Sequence, residues 1–320
     1  MTTDILVYLA AFGGGFLGAA FGALFAFSFV GITLLAGIAI AISTGDASWI
    51  SLISFGPFFG PHISFGPFFG PHISFAGGVG AAAYAYRRGY LSGVRDIATP
   101  LVSLAKPDVL LVGGLFGVGG LIVHDIVSII PWLGTHTDLP GITVVISGIA
   151  ARLIFGKTGI IGTNSEGLTG SAKFRPNDKD CWVRYQEGWG NAAILSLGAG
   201  LLSAWATVAL TQAFPEAAGS VVLLGFGVSA TSLVFLTLGA AVPVTHHMTL
   251  IAALGAANFL TITGSPLAAV LIGTCFGIIS GLAGEAFSRL WQIRGDTHVD
   301  PPASAIWPMT VVVLTIAGLF

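Results

Sequence analysis

Two acidic residues stand inside long apolar stretches, Asp125 in GGLIVHDIVSII and Glu285 in ISGLAGEAFSRL. A carboxylate in such surroundings is costly and by default faces an interior or a water-filled cavity. Two histidines, His72 and His247, each open an apolar stretch of their own. Imidazole exchanges protons near neutral pH, so a histidine level with a carboxylate makes a unit that can take up and release a proton. Counting along helices at about 1.5 Å per residue sets His72 level with Asp125 near one face, and His247 level with Glu285 near the other. Glu285 also precedes Arg289 by four residues, the spacing of a helical ion pair, and that plainer role stays open. Asn258 is an amide deep in an apolar stretch, and Thr143 and Thr310 are hydroxyls in two others. Such groups orient a small polar solute, or equally serve as hydrogen bonds between helices. His124 and His246 neighbour the first pair of histidines without counterparts, and His136 and His298 read as loop residues.

Other chemistries are missing. The two cysteines, Cys181 in a polar stretch and Cys275 in an apolar one, have no metal-binding or disulfide spacing. The GKT of GKTGIIGTNSEG lacks the glycine spacing of a phosphate-binding loop. No catalytic set, cofactor or metal site is therefore expected, and no nucleic-acid partner. An enzyme would need the acids and histidines gathered in one place, whereas their placement divides them between two faces.

The elements that must carry these residues follow from composition. The chain has 320 residues, 54% hydrophobic and 8% charged, with a mean hydropathy of +0.91. A soluble domain has about 25% charged residues, so the lipid bilayer is the expected surroundings. Forty-six glycines suit close approach of membrane helices, and Gly113/Gly117 and Gly273/Gly277 form GxxxG pairs. Charge-free runs predict ten spans, at 5–24, 26–43, 70–86, 108–130, 140–156, 190–212, 219–241, 244–262, 266–288 and 304–320. With ten spans all 12 Lys and Arg residues fall on one side. Because basic loops are cytoplasmic, both termini are expected outside a plasma membrane.

The second half repeats the first in outline. HISFAGGVGAA (72–82) aligns with HMTLIAALGAA (247–257), with four of eleven positions identical. VGGLFGV (112–118) then aligns with IGTCFGI (272–278), which pairs Asp125 with Glu285, and TVVI (143–146) with TVVV (310–313). The expected fold is all-α and polytopic, with one five-span repeat at 1–156, a cytoplasmic linker at 157–187 and a second repeat at 188–320. Five is odd, so the two repeats insert with opposite orientation, an arrangement used by many secondary transporters. Upstream, the decamer ISFGPFFGPH occurs twice, at 53–62 and 63–72. Only His72 has a mate in the second half, so 53–62 reads as added outer-loop material. Gly-Pro breaks a helix, so a re-entrant segment is a second reading for this stretch.

The layout resembles several ten-span carrier classes, among them drug/metabolite and bile-acid-type permeases, and also urea channels. None of their residue motifs is present, so no family is assigned. The expectation is a permease for a small solute, with proton coupling an open question. A passive channel for a small neutral or weakly acidic solute is the alternative, and homo-oligomerisation stays open.

Overall fold

A computed structural model describes residues 4–46, 64–163 and 166–320. The described residues are helical and contain no strand. Ten principal helices follow in order: α1 Ile5–Phe21, α2 Ala23–Thr44, α3 Ala76–Arg87, α4 Pro107–Ser128, α5 Leu139–Phe155, α6 Trp189–Ala213, α7 Leu224–Thr237, α8 His246–Thr263, α9 Pro266–Phe287 and α10 Pro301–Ala317. A π-helical turn, Pro71–Phe75, opens α3, and another, Ser288–Gln292, extends α9.

Local chemistry sets the boundaries. Asp4, Asp138, Ser265 and Asp300 cap α1, α5, α9 and α10, each accepting a backbone N–H of the first turn. Prolines stand at the first or second position of α4, α5, α9 and α10, where their missing N–H costs nothing. Gly22, at φ 87°, separates α1 from α2 inside a run that has no charge to mark a break.

The helices lie close to the ten stretches expected as spans, but not all qualify as spans. Four are long and apolar enough to cross a membrane: α2, α4, α6 and α9 with its extension. A fifth arises if Pro215–Val221 and α7, bent by 42°, count as one span. Helices α1, α5 and α10 have 17 residues each, and α3 only 12. The expectation of ten spans thus becomes four or five candidate spans among the described residues.

Packing follows one scheme in both halves. Helices α1, α3 and α4 pack on one another, as do α6, α8 and α9. Helix α5 leans on α3 and α4, and α10 on α8 and α9. The second helices face the opposite half, so α2 packs chiefly against α7, and α5 meets α10. Glycine makes the close contacts. A methyl group on Gly77 would lie 2.5 Å from Gly15 Cα, and one on Gly273 would lie 2.5 Å from the Ala252 carbonyl. The GxxxG glycines therefore serve packing: Gly113 and Gly117 meet Gly15 of α1, and Gly273 and Gly277 meet α8.

The first decamer copy, 53–62, and His62 with it lie outside the described residues. The second copy is described from Ser64 onward. It is non-helical from 64 to 70 and lies beside the midpoints of α1 and α2. Ser64 is buried with Oγ 2.6 Å from Thr33 Oγ1, Phe69 stacks on Phe29 with centroids 5.0 Å apart, and Pro67 abuts Gly14. Broken backbone in such a place is tolerated when protein surrounds it.

Candidate functional site

The residues singled out by sequence fall into separate groups. His72 is buried and stacks on His124, with ring centroids 4.5 Å apart. His124 Nδ1 lies 3.9 Å from Asp125 Oδ1. The level placement of His72 and Asp125 thus becomes a local cluster through His124. In the second half His247 is buried against Gly284, the residue that aligns with His124. Neither ring nitrogen of His247 has a hydrogen-bond partner. Glu285, beside it, is 4% exposed and committed elsewhere. It accepts Arg289 Nε at 2.9 Å and the Gly188 N–H at 3.0 Å, and the Arg289 guanidinium lies over the Trp189 ring at 4.3 Å. This is the helical ion pair, and it also ties the start of α6 to the end of α9.

The polar-path candidates are also turned inward to their own helices or to packing. Asn258 Nδ2 donates to the Leu254 carbonyl one turn back, at 2.8 Å. Thr143 is fully buried with no partner for its hydroxyl, and Thr310 is 8% exposed. The pairing of these two threonines does not survive the helix starts. Caps at Asp138 and Asp300 make Thr143 the fifth residue of α5 and Thr310 the tenth of α10.

The helix caps expose a better register. Thr135-His136-Thr137-Asp138-Leu139-Pro140 and Thr297-His298-Val299-Asp300-Pro301-Pro302 share the pattern T-H-x-D-x-P. Both aspartates cap their helices through the third residue on, Asp138 to Gly141 N–H at 2.6 Å and Asp300 to Ala303 N–H at 2.7 Å. The α5 and α10 starts run past one another: a methyl on Gly141 would meet Ile306, and one on Gly148 would meet Val299. The two helices are therefore antiparallel where they touch. Asp300 precedes Ile306 by six residues and Asp138 precedes Gly141 by three, so the two caps lie roughly 13 Å apart along the axis.

Between the halves, where α2 crosses α7 and α5 meets α10, is a cavity of about 250 Å³. Both caps line it. So do Leu24 and Phe27 of α2, Leu223 and Phe226 at the start of α7, Pro71 and Phe75 before α3, and His246 and Leu250 of α8. Trp182 and Cys181 of the 157–187 segment, with Arg95, line it as well. The walls are mostly apolar and aromatic, with few polar groups, the usual make-up of a small-molecule site.

Those polar groups are set in definite ways. Gln292 Oε1 accepts the Val299 N–H at 2.8 Å, so its Nε2 faces His298 Nδ1 at 2.7 Å. That makes Nδ1 the acceptor and leaves the ring proton on Nε2, which reaches Asp300 Oδ1 at 3.1 Å. Asp300 is therefore held by both His298 and its own helix. His246 is 5% exposed, its ring 4.9 Å from that of Phe27, and its Nδ1 has no partner. Arg95 donates to the carbonyls of Ile293 and Gly295. Burial lowers its pKa from the ordinary guanidinium value, with Asp180, Cys181 and Glu187 opposing that shift. His136, the counterpart of His298 in sequence, instead stacks on Trp132 outside the cavity.

Around Arg95 the basic loops converge. Arg294 pairs with Glu166 at 3.6 Å and Asp180 at 3.9 Å and donates to the Lys173 carbonyl at 3.0 Å. Asp296 accepts the Lys157 N–H at 2.6 Å. Gln186 exchanges two hydrogen bonds with Val244, at 2.9 and 2.8 Å.

Sequence reasoning did not single out Asp138, His246, His298 and Asp300 as a group. The signal that would have found three of them is the recurring T-H-x-D-x-P. No curated protein and no solved structure matches the chain. One family does, over residues 1–180 and again over residues 169–320, and the chain belongs to it: the family is described as "Family of unknown function (DUF7973)".

Proposed function

We propose that the protein is a secondary permease of the plasma membrane, made of two five-helix repeats of opposite orientation, that binds a small solute in the cavity between them. The observation that carries this reading is the composition of the cavity wall. Leu24 and Phe27 recur as Leu223 and Phe226 at the same spacing, and Asp138 and Pro140 recur as Asp300 and Pro302. Carriers built from inverted repeats hold their substrate at the repeat interface, near the bilayer midplane. The matched packing scheme, the antiparallel contact of α5 with α10 and the two family matches along the chain support the repeat. Ten crossings are part of the proposal. A helix of 17 residues is about 25 Å long, close to the roughly 30 Å hydrocarbon core, so α1, α5 and α10 need little help from flanking turns. The convergence of the basic loops supports one cytoplasmic face and outward termini.

The His72–His124–Asp125 cluster is the proposed site of proton coupling, with His247 as its opposite number. Purified protein in liposomes, screened for uptake of small solutes with and without a pH gradient, tests the proposal. Flux should saturate with solute, and Ala303→Trp, which fills the cavity, should abolish it. Asp125→Asn should remove the response to the pH gradient while leaving solute exchange. Flux that rises linearly with solute and survives Ala303→Trp would replace the carrier with a channel elsewhere in the molecule.

A further inference from the structure

We infer that the solute held in this cavity is a small organic cation with an apolar body, such as a protonated aryl or alkyl amine. The inference rests on the cavity being the solute site and adds the class of molecule it takes.

Charge comes first. Two carboxylates line the cavity, Asp138 and Asp300, against one cationic side chain, Arg95. Arg95 turns its Nη1 to two backbone carbonyls and has the acidic Asp180 and Glu187 around it, and Asp300 already has His298. Asp138 has neither. The one hydrogen bond of its carboxylate among the described residues is accepted from its own helix, from the Gly141 N–H. The helix start offsets part of its charge, and among the described residues the rest has no protein cation beside it. An anionic solute would meet two carboxylates there, whereas an ammonium would complete Asp138.

The walls agree. Phe27, Phe75 and Phe226 line the cavity, and aromatic faces attract cations while also covering apolar carbon. The independent sign of a missing ligand is His246. It is buried, it lines the cavity, and its Nδ1 has no hydrogen-bond partner among the described residues. A buried ring nitrogen left unpaired is costly, and an ammonium N–H supplies the donor that a neutral imidazole can accept.

The chain contains its own reporter. Cys181 lines the cavity, and the other cysteine, Cys275, is exposed on α9. In Cys275→Ala protein, purified in detergent, the rate of Cys181 alkylation by a maleimide is measured with three probes of one shape. These are 2-phenylethylammonium, neutral 2-phenylethanol and anionic phenylacetate. The ammonium should slow alkylation in a saturable way, and the other two should need about tenfold higher concentration or fail. Asp138→Asn and His246→Phe should each raise the protecting concentration about tenfold. Asparagine still caps a helix, so Asp138→Asn retains the α5 start, and an unchanged melting temperature checks it. Equal protection by phenylacetate, or none by the ammonium, overturns the inference. The same protein in liposomes separates the two ideas. Protection by the ammonium without its uptake refutes the carrier but leaves the cation site, and uptake of an anion alone does the reverse.

Discussion

Among single residues, Glu187 shows how burial and partners compete. It lies in the segment before α6 and accepts the Trp182 N–H at 2.5 Å. Burial raises its pKa from the ordinary carboxylate value of 4.5, and that hydrogen bond opposes the rise only in part. A raised pKa in the folded state means that the folded protein binds this proton more readily than the unfolded one. The sign follows: Glu187 destabilises the fold as pH climbs from the ordinary value through the raised one, and fully above it. Glu187→Gln keeps an acceptor for Trp182 and removes the charge. Thermal melts in detergent should therefore show the variant more stable than the parent at pH 7, with the difference shrinking as pH falls toward 4. A difference that grows on acidification would contradict the burial argument. Glu285 is the contrasting case. It is more buried than most acids, yet Arg289 and Gly188 satisfy it, so its unusual position in the sequence marked a joint between helices.

At the scale of the helices, glycine decides which faces meet. A methyl on Gly273 would lie 2.5 Å from the Ala252 carbonyl and 2.8 Å from the Ala256 Cβ, whereas one on Gly198 meets nothing within 4 Å. Gly273→Ala should push α9 off α8 and lower the melting temperature, with a cost of about 1–3 kcal/mol. Gly198→Ala in α6 should be neutral or slightly stabilising, because alanine is the better helix former. Equal effects would show that these contacts do not limit stability. The helices themselves were legible in the sequence, because charge-free runs and proline starts mark them. Their suitability as spans was less so. Residues such as Gly77, Gly78 and Gly80 in α3 are apolar enough to join a run, yet the helix they form has 12 residues. The candidate site was the least legible part. Single acids inside apolar runs draw attention, as Asp125 did, whereas Asp138 and Asp300 sit at helix starts among polar neighbours and look like ordinary caps. Their shared cavity depends on α5 and α10 running antiparallel, which no local pattern states.

For the whole molecule, the proposed orientation makes a direct claim. The basic loops touch one another around Arg294 and Arg95, so they share one face whatever the number of crossings. With ten crossings both chain ends lie on the opposite face. A tag after Phe320 should be reached from outside intact cells, and a cysteine placed at Lys173 only after the membrane is opened. A C-terminal tag accessible only from the cytoplasm, on the same side as Lys173, would mean that α10 does not cross and would end the ten-crossing proposal. The cavity would then still lie between two similarly packed halves, with α5 and α10 still antiparallel.

The seat of residues 64–70 beside α1 and α2 bears on the history of the gene. The two decamers are identical and adjacent, so removing 53–62 and removing 63–72 yield the same polypeptide. Whichever unit is lost, the survivor ends in the same Pro-His and runs straight into Ile73 and α3, and the same Ser, Phe and Pro side chains arrive at Thr33, Phe29 and Gly14. Unit number can drift through replication slippage in steps of ten codons without altering what occupies the seat, since every allele ends on the same final copy. Selection on what fills this seat then acts on the last unit, and substitutions should accumulate first in the upstream one. Two units that still agree letter for letter mark the duplication as recent on that clock.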